Sequence, residues 1–342
     1  MAERASLMRK NQIVNQAAAF GAILFLASCG GTEEKAPVSP APSSINAPII
    51  WQTGMLSEKL SVLSIAEDGP VRFLLGYESG GLQLVDFDGT AISEPGPYRT
   101  SSIGSGTQAN IQGADLILYP GTSRNSDKLV VFLYGAGLPA PFEVELTDEV
   151  QGFIEGVCST TANYDAAILN LAYWTDVDNS TLVRGRVRSE GENLIYEETD
   201  RLTFDKYLTS CDLVGDSVIT GGGFGLEIRD AENSATPIKL TDVPVQVTGL
   251  QTSDGYQVAT ATSGGKVFVA NGDGATSEIQ LEGSLSSEAP DKVEKLVLSD
   301  RSGEASFTNG FLAIESLKPS GETQLVYVDR LDLFNKLSPA AE

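Results

Sequence analysis

Residues 79–89 set the pattern for the whole chain. Apolar Leu82, Leu84 and Phe87 stand beside polar Gln83, Asp86 and Asp88, and Asp88-Gly89 closes the run. Such a stretch reads as a strand between two turns, and the apolar run at 72–75 just before it makes the pair a hairpin. The same grammar continues to the C-terminal end in six units of short runs. They span 60–87, 115–146, 156–198, 210–240, 245–281 and 293–328. Their middle strands begin near 72, 128, 164, 217, 255 and 305, a spacing of roughly 40 to 55 residues. Three or four up-and-down strands at that period predict an all-β fold, a six-bladed β-propeller, with a pair of packed β-sheets as the alternative. Paired turn residues at Gly80-Gly81, Asp88-Gly89, Asp254-Gly255 and Gly264-Gly265 suit hairpin bends that need positive φ. A single terminal helix is expected over 331–337.

The first 48 residues break the pattern. Arg4, Arg9 and Lys10 precede an apolar run over 17–27, which is of signal-peptide length and too short to span a bilayer. Leu26-Ala27-Ser28-Cys29 follows, and it resembles the lipobox of bacterial lipoproteins. That resemblance implies cleavage before Cys29, acylation of its thiol and attachment to a membrane. Residues 1–28 are thus expected to be a signal segment and 29–48, rich in Pro, Ser and Ala, a disordered tether. The propeller is expected over 49–337, with 338–342 as a tail. The expected location is outside the cytoplasm, anchored to a membrane and facing the periplasm or the cell surface.

The chain carries 23 Lys and Arg against 46 Asp and Glu, a net charge of −23. Without the signal segment the net charge is −25. Such a field repels nucleic acid and anionic headgroups and favours solubility and cationic partners. There is no histidine, which excludes every mechanism built on a His base and every His-ligated metal site. Beyond Cys29 only Cys158 and Cys211 remain, an even pair in an exported chain. Each falls in the first strand of its unit, in neighbouring units, so a Cys158–Cys211 disulfide is expected beside the channel.

Several segments, in order, resemble the six-bladed β-propeller phytases. Residues 79–89 match that family's S-G-L-x-V-Y-D-L-D-G blade motif. Thr122-Ser123-Arg124-Asn125-Ser126, Glu155-Gly156-Val157-Cys158, Leu208-Thr209-Ser210-Cys211 and Val247-Thr248-Gly249-Leu250 fall at its S-N-R-S, Y-G-L-C, T-E-G-C and I-E-G-L positions. The resemblance runs from about 49 to 337. It implies a propeller that uses calcium, held by channel carboxylates, to release phosphate from inositol hexakisphosphate, with Lys and Arg gripping the anion.

This sequence departs from that pattern where the chemistry lies. Thr209 and Thr248 replace glutamates, Thr220-Gly221-Gly222-Gly223 replaces an acidic strand end, and Glu155 replaces a tyrosine. Among phosphate-gripping positions Arg124 is retained. The expectation is therefore a binding or scaffold module that has lost metal-dependent hydrolysis, with an anionic phosphorylated ligand or a protein as its partner. The alternative is a working calcium phosphatase rebuilt on Arg124, Asp148, Glu149 and Glu155. Three further features read as structural. Asp176-Val177-Asp178-Asn179-Ser180 is a turn and not a calcium loop, because position six is Thr181 and position twelve Val187. Gly221-Gly222-Gly223 precedes a strand and so lacks the helix terminus of a phosphate loop. Arg184, Arg186 and Arg188 form one face of an outer strand, facing Glu197, Glu198 and Asp200. Trp51 and Trp174 are expected to be core or interface rings.

Overall fold

The middle strands are apolar along their length because both of their faces are buried. In a computed structural model that describes residues 43–337 apart from 57, 136, 163–166, 192, 285–286, 304–305 and 319, these strands form the centres of six sheets. The signal segment, Cys29, most of the expected tether and the 338–342 tail lie outside the described residues.

Two N-terminal strands come first, β1 (Ser43–Pro48) and β2 (Trp51–Gln52). Blade one holds β3 (Leu60–Ile65), β4 (Arg72–Tyr77) and β5 (Leu82–Asp86). Blade two holds β6 (Thr107–Ile111), β7 (Ala114–Thr122), β8 (Leu129–Gly135) and β9 (Phe142–Glu145). Blade three holds β10 (Ile154–Thr161), β11 (Leu169–Thr175), β12 (Thr181–Glu190) and β13 (Asn193–Thr203). Blade four holds β14 (Leu208–Val214), β15 (Ser217–Gly222), β16 (Gly225–Arg229) and β17 (Ala235–Ile238). Blade five holds β18 (Pro244–Thr252), β19 (Gly255–Thr262), β20 (Val267–Asn271) and β21 (Thr276–Glu282). Blade six holds β22 (Leu296–Ser299), β23 (Phe311–Leu317) and β24 (Thr323–Asp329), followed by helix α1 (Arg330–Asn335). Asp329 caps that helix, accepting from Asp332 N at 2.8 Å. The fold is the expected six-bladed propeller.

Six hydrophobic clusters lie between successive blades, so neighbouring residues of one strand feed different cores. Phe73 and Leu75 of β4 face blade six, while Leu74 between them faces blade two. In β15, Val218 packs toward blade three and Ile219 toward blade five. The predicted turn glycines Gly80, Gly81, Gly89, Gly255 and Gly265 all have positive φ.

The chain's start closes the ring. β2 pairs antiparallel with β24 as the outer strand of blade six, and β1 runs parallel to β21 as a fifth strand of blade five. Residues 43–48 were expected in the tether, and this is a correction. Ile45 and Ala47 alternate inward to 5% and 0% exposure, while β21 supplies the backbone partners. Two further differences concern strands. Blade two has a first strand, β6, that its polar sequence concealed, and of the short run expected at 305–307 residue 305 lies outside the described residues while Phe307 forms an isolated bridge with Gly303. Trp174 is a core ring as expected, lying over Gly156, where a Cβ would sit 1.8 Å from it. Trp51 is not in the core, because β2 is an outer edge strand and leaves the ring half-exposed, which leaves the interface alternative for it.

Candidate functional site

The first strands of the six blades run side by side around a central channel with a cavity of about 490 Å³. Five of these strands contribute to its wall, and blade two contributes residues 101–105, just before β6. The rim where these strands begin is called upper here and the rim where they end lower. Glu155, Thr209, Val245 and Lys295 lie toward the upper rim, and Glu67, Thr160, Asp300 and Arg301 toward the lower.

An inner strand has one edge without a sheet partner, and its backbone groups need other bonds. Here small polar side chains from one blade supply them to the next. Ser64 Oγ donates to Gly104 O at 2.7 Å, joining blades one and two. Val157 N donates to Ser102 Oγ and Ser159 Oγ to Ser105 O, both at 2.8 Å, joining two and three. Gly249 N donates to Asp212 Oδ2 at 2.8 Å, joining four and five. Leu298 N donates to Thr248 Oγ1 at 3.1 Å, joining five and six. Leu60 N donates to Glu315 Oε1 at 2.9 Å, joining six and one. The joint between three and four is covalent: Cys158 and Cys211 form the expected disulfide, with Cα atoms 5.7 Å apart.

Burial drives Asp212, Glu67 and Lys295 of this wall toward their neutral forms. It pushes the Asp212 carboxyl up to about 8, against the opposing bonds from Gly249 and Leu213, and the charge of Glu67 adds to the rise. Glu67 is raised by burial too, although it accepts from Thr161 N at 2.7 Å and Thr160 Oγ1 at 3.1 Å. Burial lowers Lys295 and raises Glu315, despite their mutual attraction. Ser210 Oγ and Arg301 Nη1 are buried without a hydrogen-bond partner.

The four residues singled out beforehand gather at one rim but not in one site. Arg124 lies in the β7–β8 connection, Asp148 and Glu149 between β9 and β10, and Glu155 in β10. Backbone bonds from Val150 to Asp127 at 2.8 Å and from Ile154 to Ser126 at 2.6 Å hold these loops together. Only Glu155 lines the cavity; Arg124, Asp148 and Glu149 are exposed outside it. Among the described residues, no three Asp, Glu or Cys side chains are placed to hold a metal ion. Calcium needs about six to eight oxygens, largely from charged carboxylates, whereas Asp212 and Glu67 of this wall are already bonded between blades and Glu155 and Asp300 lie at opposite rims. The residues present do not fit a calcium cluster.

The other motifs resolve as structure. Residues 176–180 form the β11–β12 turn. Gly222 and Gly223 seat Tyr207: a Cβ on Gly222 would lie 2.2 Å from Tyr207 O, and one on Gly223 2.7 Å from its ring. Arg186 pairs with Glu197 at 3.0 Å, and Arg184 with Asp200, along the outer edge of blade three.

The sequence matches no family model and no curated protein. Among solved structures, the chain is similar to BBS1N, crystallised in complex with ARL6DN and soaked with lead. The TM-score is 0.53 at 12% identity, over 82% of this chain and 97% of that one. Raptor from Chaetomium thermophilum gives 0.48 at 9% identity, over 83% of this chain and 29% of that one. The likeness is one of fold.

Sequence reasoning missed Asp212, Glu67, Lys295 and the joint-forming Ser64 and Ser102. One signal was available. Asp212 stands in a strand between Cys211 and Leu213-Val214, where an unpaired charge is costly and so needs a partner.

Proposed function

We propose that the protein is an exported lipoprotein, acylated at Cys29 and held at a bacterial membrane, whose phytase-like propeller binds a partner at its channel end and does not hydrolyse phosphate esters. One observation carries this reading. Two carboxylates that line the channel, Asp212 and Glu67, are engaged in joining blades and are drawn toward neutrality, whereas a calcium site needs its carboxylates charged, free and gathered. The disulfide suits an oxidising compartment outside the cytoplasm. The ordered anchors at 79–89, 122–126, 155–158 and 208–211 support descent from a phytase-like propeller, and BBS1N is a case in which a similar fold sits in a complex with a protein.

The test is phosphate release from phytate by the purified protein with and without excess calcium, together with the melting temperature in both conditions. No release and no calcium-dependent shift are expected. Calcium-dependent turnover that Arg124→Ala abolishes would replace this reading with the phosphatase one. The anchor is tested separately: Cys29→Ala is expected to leave the membrane fraction, and its retention there refutes acylation at that residue.

A further inference from the structure

The upper rim of blades three to five carries an arc of exposed apolar side chains beside the channel mouth. Phe153 and Val177 are 59% and 60% exposed, and Tyr207 and Val245 are exposed as well. Local bonds fix the arc. Asp176 N donates to Phe153 O at 2.9 Å, and Phe153 N donates to Asp176 Oδ1 at 2.7 Å, so Phe153 and Val177 are held on adjoining loops. Leu208 N donates to Asn179 O at 2.7 Å, tying that turn to the segment bearing Tyr207. Gly223 N donates to Tyr207 O at 3.0 Å, and Thr209 Oγ1 donates to Pro244 O at 2.5 Å, which carries the arc on to Val245. These side chains are held in place by backbone geometry and stay uncovered.

The charges around the arc are mainly acidic, with Arg124 exposed at the same rim as a counter-charge. Asp148, Glu149, Glu155, Asp176, Asp178 and Asp205 are exposed on these loops. Of the nearby cations, Lys128 is paired with Glu145 at 2.9 Å, and Lys206 donates to Gly223 O at 3.1 Å. An apolar strip inside an acidic border, beside a mouth lined by Glu155, complements a segment that is both basic and apolar. Phe153 and Tyr207 also present aromatic faces to a Lys or Arg.

We infer that this rim docks an extended, basic and apolar segment of a partner protein, with its apolar residues on Phe153, Val177 and Tyr207 and a Lys or Arg at Glu155. This rests on the binding-module reading and names its partner class. The segment's cations replace the mutual repulsion of the rim acids with attraction, and its apolar residues remove the arc from water.

The probe is a phage-displayed library of random twelve-residue peptides, selected on the full chain and remeasured on variants. The expected winners carry net positive charge and apolar residues. They should bind Phe153→Ser/Val177→Ser at least ten-fold more weakly than wild type, lose affinity for Glu155→Lys, and keep it for Asp254→Lys at the opposite rim. An unchanged melting temperature of the double variant shows that folding is intact, as its two sites are exposed. Winners that bind the rim variants as well as wild type, winners without positive charge, or no winners overturn the inference. A dimer that Phe153→Ser/Val177→Ser abolishes in sedimentation also overturns it, naming a second copy as the occupant. Phytate turnover measured on the same proteins would sink the binding-module reading, an outcome separate from any result at the rim.

Discussion

Cys211 and Asp212 are neighbours in β14, and they join blade four to its two neighbours by different chemistry. Cys211 faces blade three and is bonded to Cys158. Asp212 faces blade five and accepts from Gly249 N at 2.8 Å. The covalent joint is indifferent to pH and sensitive to reductant. The carboxyl joint is indifferent to reductant and sensitive to pH, because burial has moved its titration to about 8. The pair shows that a propeller joint needs only something to occupy the space and satisfy the unpaired edge between inner strands. The chemistry chosen decides which condition can loosen it.

Breaking the covalent side is expected to have the largest effect. The disulfide spans a sequence separation of 53 residues, and a loop of that length constrains the unfolded chain by about 4 kcal/mol. Cys158→Ala/Cys211→Ala should lower unfolding free energy in urea by about that amount, equally at pH 5 and pH 8. A loss that depends on pH would show the two joints to be coupled.

Breaking the carboxyl side should cost less. Asp212→Ala leaves the buried Gly249 N–H without its acceptor, a loss of about 1–3 kcal/mol. The pH dependence has a definite sign. The folded-state carboxyl titrates far above its unfolded value, so the folded chain holds the proton longer. Its contribution is full below about pH 4, falls as pH rises and is gone above about pH 8. Asp212→Asn keeps an acceptor without the titration and should flatten the decline of stability between pH 5 and pH 8. Glu67, raised in the same direction, leaves a residual slope. An Asn variant with the wild-type slope would remove Asp212 from this role.

Such joints were the part of the molecule hardest to read in advance. Period-two and continuous apolar runs revealed the middle strands, because Leu74, Ile219 and their like must fill two cores. Inner strands follow another rule: their side chains reach the next blade's backbone, so small hydroxyls serve there and leave no apolar signature. Residues 101–106 and β6 therefore fall outside the six expected units, yet Ser102 and Gly104 are channel wall. The disulfide was legible because cysteine states its own chemistry and the repeat placed both residues in first strands. Arg124 was singled out by likeness to a known motif and Asp148 and Glu149 as acids expected near the channel, and the topology puts all three on loops beyond the cavity.

Thr248 lets the comparison be sharpened one joint further on. Its hydroxyl accepts from Leu298 N at 3.1 Å and also helps hold Asp212 in its charged form. Thr248→Val should cost about 1 kcal/mol from the lost bond and raise the Asp212 titration further. Combined with Asp212→Asn, the losses should not add, because the two side chains are hydrogen-bonded to each other. Additivity in a double-mutant cycle by urea unfolding would make the joints independent.

The smallest effect is expected at the outer edge, and it tests whether charge or position gives the joints their value. Arg186 and Glu197 make a 3.0 Å ion pair on β12 and β13, shorter than the Leu298–Thr248 bond. Both side chains are more than a third exposed, at 39% and 45%, so water solvates each charge whether or not the pair forms. Such pairs contribute about 0–1 kcal/mol and weaken with salt. Arg186→Ala should therefore change unfolding free energy by less than the uncharged Thr248→Val, and the change should vanish in about 1 M salt, where screening acts within roughly 3 Å. If the arginine proves the costlier loss, the ring is held from its rim inward, and the channel joints are its consequence rather than its cause.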